Sequence, residues 1–210
     1  MEKIQDEKHF RKLCDWIVVN DARFEPVLQN FGYPPMWFRS PNFATLILTI
    51  LEQQVSLAAA RAAYNKLVQK IEIITPENLL TLTDEELRNC YFSRQKIRYA
   101  RILASEIAEG RLNLDELNKM AEYEIRLRLI QLKGIGHWTI DMYVLMSLHF
   151  ADIFPPGDLA TIKAVFELKL LPAGTGKNDI IRYMEKFKPY RSVATYLLWH
   201  YYLEERNLKL

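Results

Sequence analysis

The sequence predicts an all-α fold, both from the spacing of its apolar residues and from its helix start and stop signals. Apolar residues recur at intervals of three and four, as they do along the buried face of an amphipathic helix, in Phe10-Leu13-Ile17, Leu46-Ile50, Ile97-Ile102-Ile107, Tyr143-Leu145-Leu148 and Val193-Leu197. No segment alternates apolar and polar residues strictly enough to indicate a β-strand. We therefore expect about ten to twelve short helices.

Helix-capping residues mark the breaks between these segments. Thr83-Asp84-Glu85-Glu86 has the pattern of a capping box, and Thr75-Pro76 that of an N-cap followed by proline at the first helical position. Gly110, after Glu109, is a typical helix stop. Since the sequence contains no repeat, low-complexity tract or flexible linker, residues 1–210 are expected to form a single compact unit.

Composition excludes several classes of protein. Half of the 210 residues are apolar, which excludes a disordered chain, and the net charge is only +2. The N-terminal residues lack the apolar stretch of a signal peptide, and no apolar run approaches the ~18 residues that a membrane span needs. We expect a soluble protein, located in the cytoplasm of a bacterium or in the nucleus of a eukaryote. Cys14 and Cys90 are too few for a four-cysteine cluster or zinc site and are predicted to be reduced core thiols.

A glycine hairpin, Leu132-Lys133-Gly134-Ile135-Gly136-His137-Trp138-Thr139, lies between two helical segments. Gly134 and Gly136 allow a tight turn that brings backbone N–H groups close to a phosphate, aided by the positive end of the following helix. Such a hairpin holds a DNA strand by its backbone, so it binds without reading the base sequence.

A rigid turn, Pro155-Pro156-Gly157-Asp158, places a carboxylate 22 residues after Gly136, at the start of the next helix. In isolation, Asp158 after Pro-Gly is most simply a helix N-cap. Together with the hairpin it is a candidate catalytic carboxylate, and the two roles are compatible.

The segment from Arg88 to Arg101 carries a run of basic residues without an acid. It contains Arg88, Arg94, Lys96, Arg98 and Arg101, interleaved with Tyr91, Phe92 and Tyr99. Alone, such a run is typical of a solvated helix face. Beside a phosphate-binding hairpin, a surface that contacts the DNA backbone is the better interpretation.

These segments resemble the helix-hairpin-helix DNA glycosylase superfamily, whose signature is a Leu-x-Gly-x-Gly hairpin with a later aspartate. Within it, the chain is most similar to the alkylpurine glycosylases of the bacterial 3-methyladenine DNA glycosylase II type. The resemblance includes Ile50-Leu51-Glu52-Gln53-Gln54-Val55-Ser56 upstream and Lys188-Pro189-Tyr190-Arg191-Ser192 with Trp199 downstream, so it covers roughly residues 42–205.

The resemblance implies two helical subdomains with an active-site cleft between them. Residues 42–149 correspond to a central subdomain that contains the hairpin 132–139, and residues 1–41 with 150–210 correspond to a second one. The enzymes of this type also carry an N-terminal α/β domain. The residues before the matching region are too few and too helical to form that domain, so any pocket wall that it contributes is expected to be absent.

The resemblance also implies the chemistry. Asp158 is expected to stabilise the positive charge that develops on the sugar when the N-glycosidic bond breaks. Trp138 stands where bifunctional relatives carry the lysine that forms a Schiff base, so we expect a monofunctional glycosylase that leaves an abasic site. By the same resemblance the base pocket contains Trp138, Trp199, Met142 and Gln53.

The aromatic residues predict the substrate. Trp138 and Trp199 offer π faces to an electron-poor or cationic base, as 3-methyladenine and 7-methylguanine are, although ordinary core packing explains either ring alone. Met142 stands where the alkylpurine enzymes often have a tyrosine, and Ala160 is small. A wider pocket is therefore expected, which leaves the range of lesions open.

The DNA contacts are predicted in the same way. Gln54 is expected to fill the gap that a flipped nucleotide leaves. The alternative is that Gln53 and Gln54 merely end one helix and Ser56 caps the next. Backbone-binding residues are predicted to be Gly134, Ile135, Gly136, His137, Thr139 and Arg94, and main-chain carbonyls of Ile130, Leu132 and Ile135 to hold a Na⁺ or K⁺ ion. No cofactor is expected to be required.

Two other functions remain open on the sequence alone. A non-catalytic helix-hairpin-helix module would use the hairpin for DNA binding and Asp158 only as a cap. A glycosylase for an oxidised or deaminated base would use the same aspartate with a different pocket. The predicted partner is double-stranded DNA that contains alkylated bases, bound by a monomer.

Overall fold

The computed structural model describes residues 2–209, and within them the fold is all-α, as predicted. Thirteen α-helices and two short 3₁₀ helices, Ala22–Phe24 and Glu185–Phe187, account for the regular structure there. An isolated bridge between Lys3 and Phe150 is the one β-type pairing in this part of the chain. The α-helices are α1 Glu7–Asn20, α2 Glu25–Phe31, α3 Phe43–Glu52, α4 Leu57–Ile71, α5 Pro76–Thr81, α6 Asp84–Asn89, α7 Arg94–Ala108, α8 Leu114–Leu117, α9 Glu122–Leu129, α10 His137–Met146, α11 Leu159–Glu167, α12 Lys177–Met184 and α13 Arg191–Glu204.

The predicted helix caps are confirmed. Thr83 and Glu86 form the reciprocal capping box at the start of α6. Thr75 caps α5, with Pro76 at the first helical position. Gly110 follows α7 with a φ of 74°, a conformation that glycine adopts without steric cost. The helices exceed the predicted number because several are very short, such as the four-residue α8.

One of the two compact units of the chain consists of residues 1–38 and 144–210. Its centre is α13, whose residues from Ser192 to His200 are all buried and which packs against α1 and α11. Phe10 and Tyr196 meet edge to face inside this unit, and both are fully buried. Truncating a buried aromatic side chain of this size to alanine costs about 3–5 kcal/mol.

Residues 39–143 form the other unit. Its core is α3, buried from Phe43 to Leu51 except Ala44, and packed against α4 and α7. The predicted bounds of 42–149 for the central subdomain differ from these by a few residues, and the cleft implied by resemblance stays a prediction.

The two cysteines are buried and unpaired, one in each unit, which confirms their assignment as core thiols. Burial raises the pKa of both Cys14 and Cys90, because a thiolate is poorly solvated in the core. Among the helices of residues 2–209, none has the length and apolar character that crossing a membrane requires.

Candidate functional site

The glycine hairpin joins α9 to α10 and turns tightly at Gly134. Ile135 N–H donates to the carbonyl of Leu132 at 3.0 Å, and Gly134 has a φ of +100°. A Cβ atom at this position would clash with the ring of Tyr99. Glycine is therefore required here twice, for its backbone conformation and for the close approach of Tyr99.

Helix α10 starts directly after the hairpin. Ile140 N–H donates to the carbonyl of Gly136 at 3.1 Å and closes the first turn of the helix, where backbone N–H groups point toward the hairpin. Gly136 and His137 are exposed at this end. The positive end of α10 with these donors is the arrangement that binds phosphate in many proteins.

An ion pair links the two helices of the motif. Arg126 of α9 donates to Asp141 of α10 at 2.7 Å and also contacts Glu122. Asp141 is 3% exposed, and burial raises its pKa to about 6, against the opposing effect of Arg126. Burial tends to lower the pKa of Arg126, but the two carboxylates outweigh this and raise it.

The turn after α3 presents the two predicted glutamines differently. Gln53 is half-buried, and its Nε2 donates to the carbonyl of Gly134 at 2.8 Å and to Thr139 Oγ1 at 2.9 Å. Gln54 is exposed at a φ of +57°, at the tip of the turn. Ser56 caps α4 by accepting from Ala59 N–H, so the expected cap is present whichever role Gln54 has.

These contacts bear on two of the predicted roles. Gln53 is predicted to contact the base or the DNA strand, and Thr139 the DNA backbone. In the structure, Nε2 of Gln53 binds the hairpin, and Thr139 is 2% exposed with its hydroxyl accepting from Gln53. Thr139 thus has its main-chain N–H, rather than its hydroxyl, to offer to a phosphate.

The basic run separates into two groups. Arg88, Arg94 and Arg98 are exposed. Lys96 donates to the carbonyl of Leu51 at 2.6 Å and Arg101 binds Leu82 and Asp84, so both have structural partners inside the unit. The expectation that Lys96 binds DNA is wrong in this respect: its ammonium group lies against the end of α3, and burial lowers its pKa.

Asp158 caps α11, and its carboxylate accepts hydrogen bonds from Thr161 and Trp199. Its Oδ1 accepts from Thr161 N–H and from Thr161 Oγ1, both at 2.8 Å, and from Trp199 Nε1 at 2.9 Å. The turn before it is closed by Asp158 N–H, which donates to the carbonyl of Pro155. Because these three bonds meet at Oδ1, they hold the carboxylate in one orientation at the start of α11.

An aromatic cluster in the same unit supports Trp199. Trp199 is 5% exposed and meets both Tyr196 and Trp37 edge to face, with ring centroids 5.7 and 6.4 Å away. Trp37 stacks on Tyr196 with an interplanar angle of 9°, and Tyr196 donates to the Trp37 carbonyl. Sequence analysis did not identify Trp37. Its one local signal is its position beside the rigid Pro34-Pro35 pair, outside any helical pattern.

The remaining predicted residues lie in or near the helix-hairpin-helix motif. Met142 is buried at 5% exposed, Trp138 is half-buried, and the side chain of Ile135 is buried. Ile130 is 39% exposed and follows the last residue of α9. The carbonyl of Leu132 accepts from Ile135, as described above.

Comparison with known proteins decides the family. Residues 47–189 match the HhH-GPD superfamily of base excision DNA repair proteins. The chain belongs to this superfamily. The match includes the Gln53-Gln54 turn, the glycine hairpin and Asp158, and it confirms the resemblance that the motifs indicated.

Individual HhH-GPD relatives resemble the chain along most of its length. It is 30% identical over 184 residues to DNA-3-methyladenine glycosylase 1 of Schizosaccharomyces pombe. The alignment covers 86% of this chain and 81% of the relative. It is 25% identical over 203 residues to DNA-3-methyladenine glycosylase 2 of Escherichia coli. That alignment covers 89% of this chain and 67% of the relative.

Solved structures of 3-methyladenine glycosylases are also similar to this chain. The DNA-3-methyladenine glycosidase of Bacillus halodurans superposes with a TM-score of 0.74 at 28% identity, covering 98% of this chain and 94% of that one. The Schizosaccharomyces pombe 3-methyladenine DNA glycosylase in complex with abasic DNA gives the same score and identity and covers 86% and 89%.

Proposed function

We propose that this HhH-GPD protein is a monofunctional DNA glycosylase that hydrolyses the N-glycosidic bond of alkylated purines in double-stranded DNA. The observation that carries the proposal is Asp158, whose carboxylate is held by Thr161 and Trp199 at the start of α11. The similarity to 3-methyladenine glycosylases over most of the chain supports the substrate class.

The proposed reaction depends on stabilising the positive charge that develops on the sugar. When the bond between the sugar C1′ and the base nitrogen breaks, its electron pair leaves with the base and positive charge develops on the sugar. The Asp158 carboxylate, oriented by Thr161 and Trp199, stabilises that charge without having to reorganise. Water then adds at C1′ and loses a proton, which gives the free base and an abasic strand.

Alkylation at N3 or N7 makes a purine cationic, so the base departs as a neutral molecule and needs no general acid. An aromatic face favours such a cationic base through its quadrupole, and stacking contributes about 1–3 kcal/mol per base. By resemblance, Trp138 and Trp199 are the stacking residues and Met142 is a further contact. The contact of Trp37 with Trp199 adds a third tryptophan to this group.

The absence of strand cleavage is proposed from Trp138. An indole has no amine that can form a Schiff base with the sugar, so no covalent imine forms at that position. Lys133, the lysine nearest in sequence, is exposed on the hairpin itself.

DNA binding is assigned to the hairpin and its surroundings. The N–H groups at the start of α10 hold a phosphate, with Gly134, Ile135, Gly136 and His137 as the contacting residues. Arg94, exposed in the first turn of α7, contributes charge, and Gln54 enters the stack when the base is flipped.

The carbonyls of Ile130, Leu132 and Ile135 are proposed to hold a Na⁺ or K⁺ ion. Neutral oxygen donors suit such a cation, and Ile130 lies at a helix end, where carbonyls lack intrahelical donors. The carbonyl of Leu132 keeps a second lone pair beside its bond to Ile135. When bound, the ion adds positive charge for a DNA phosphate.

A panel of lesions assayed for released base tests the function. Duplexes that contain 3-methyladenine, 7-methylguanine, hypoxanthine or 8-oxoguanine are incubated with the protein, and the free base and any strand breaks are measured. Release of the two methylpurines with intact abasic strands is expected. Preferred release of a neutral base would favour a glycosylase for deaminated or oxidised bases, and binding without release would favour a non-catalytic module.

A further inference from the structure

The side chain of Gln53 joins the turn after α3 to the glycine hairpin. Its amide donates to the carbonyl of Gly134, within the turn, and to Thr139 Oγ1, in the first turn of α10. Both bonds have ordinary lengths, 2.8 and 2.9 Å. One side chain therefore holds the hairpin at two points, Gly134 and Thr139, which flank Ile135, Gly136 and His137.

The hairpin needs such outside support. A turn with glycines at two positions has many conformations open to it, and ordering it costs more entropy than ordering other residues. Within the turn, Ile135 N–H bonds to the Leu132 carbonyl. Tyr99 packs where a Cβ of Gly134 would lie, and Gln53 binds the Gly134 carbonyl. These two contacts from other elements fix the glycine.

The other end of Gln53 is anchored as well. Its backbone follows α3, where Lys96 donates to the carbonyl of Leu51 at 2.6 Å. The adjacent Glu52 accepts a bidentate pair of bonds from Arg39, both at 2.7 Å, and the two side chains are about nine-tenths buried. Gln53 thus extends from a fixed helix end, and exposed Gln54 follows it directly.

We propose that Gln53 is a positioning residue for DNA binding, which braces the phosphate-binding hairpin and ties it to the turn that presents Gln54. The inference rests on the proposed function of the hairpin. It replaces the base contact predicted for Gln53 and has a different consequence. A base contact governs which lesion is chosen, whereas a brace governs the affinity for every DNA duplex alike.

The test compares Gln53→Met, of similar length but without donors, with Gln69→Met at an exposed position of α4. Dissociation constants are measured for an undamaged duplex and for one with an abasic-site analogue, and excision is measured in single turnover at saturating protein. Gln53→Met is expected to weaken both affinities about tenfold, as the loss of two neutral hydrogen bonds implies, with the saturated rate within about threefold of wild type. Thr139→Val removes one acceptor and is expected to show a smaller loss, and Gln69→Met none.

Unchanged affinities with an altered lesion preference would overturn the brace and restore the base contact. Hydrogen exchange of the hairpin amides gives a readout that needs no DNA. Gln53→Met is expected to speed exchange of the hydrogen-bonded amides of Ile135 and Ile140 while Gln69→Met does not, and unchanged exchange would contradict the brace. If the wild-type protein bound no DNA, the proposed function would fail, while the exchange result would still decide the role of Gln53.

Discussion

The hairpin and the Asp158 site solve different chemical problems, and they are built from different parts of the chain. The hairpin offers backbone N–H groups, so its affinity for phosphate depends on a conformation that Gly134, Tyr99 and Gln53 hold in place. The Asp158 site offers one carboxylate oxygen pair, oriented by side-chain donors from Thr161 and Trp199. Binding should therefore be sensitive to backbone freedom, whereas catalysis should be sensitive to single functional groups.

The largest effect is expected from Asp158→Asn. The amide keeps the size of the side chain and an oxygen for the cap, but it removes the negative charge opposite the developing sugar cation. Base excision in single turnover should fall by ~10² or more, while affinity for the duplex is retained. Excision close to the wild-type rate would remove Asp158 from the mechanism.

Trp199→Phe separates the ring from its N–H group. Phenylalanine retains an aromatic ring in the cluster but loses the bond to Asp158 Oδ1, and a hydrogen bond to a charged group supports an excision rate about ten- to hundredfold higher. The affinity for an abasic duplex should change little. Trp16→Phe, at a half-buried tryptophan that packs against Tyr190, is the matched control and should excise normally. Equal losses in both variants would indicate general destabilisation.

The two hairpin glycines should respond differently to alanine. Gly134→Ala meets both the positive φ and the Tyr99 ring, so it should weaken binding to damaged and undamaged duplexes by about tenfold or more. Gly136 lacks a positive φ, and a Cβ there meets no atom within 4 Å, so Gly136→Ala should cost less than about threefold. Binding titrations at two salt concentrations measure both, and the reverse order would contradict the geometry of the turn.

The smallest effect on binding and excision is expected from Asp141→Asn. This substitution is expected to change the pH dependence of stability. Its folded pKa of about 6 exceeds its ordinary value, so its contribution to stability is complete below about pH 4 and is lost as the pH rises through 6. The free energy of unfolding of wild type relative to Asp141→Asn should therefore fall by about 2 kcal/mol between about pH 4 and pH 6. Urea unfolding at several pH values measures it, and a constant difference would show that the pKa is not raised.

Local sequence was sufficient for some of these features and insufficient for others. The capping box at Thr83, the turn at Gly134 and the cap at Asp158 follow from neighbouring residues, and the structure has all three. The bond from Trp199 to Asp158 joins residues 41 positions apart, and those from Gln53 cross more than 80. Such partners depend on how helices pack, which periodicity does not specify.

The same limit explains Lys96 and Trp37. The neighbouring basic residues suggest that Lys96 is exposed, yet its ammonium group lies against the end of α3. Trp37 has no helical periodicity, and its importance depends on Tyr196 and Trp199 at the far end of the chain. Family resemblance supplied Trp199 as a site residue, but its hydrogen bond to the carboxylate is visible only in the structure.

The division of labour is tested most directly by measuring duplex affinity and saturated single-turnover excision of 7-methylguanine together, on Asp158→Asn and on Gly134→Ala. We expect opposite results: Asp158→Asn keeps its affinity and loses excision by ~10² or more, and Gly134→Ala loses affinity but excises within about threefold of wild type once saturated. Loss of affinity and excision in the same proportion in both variants would contradict separate sites for binding and chemistry.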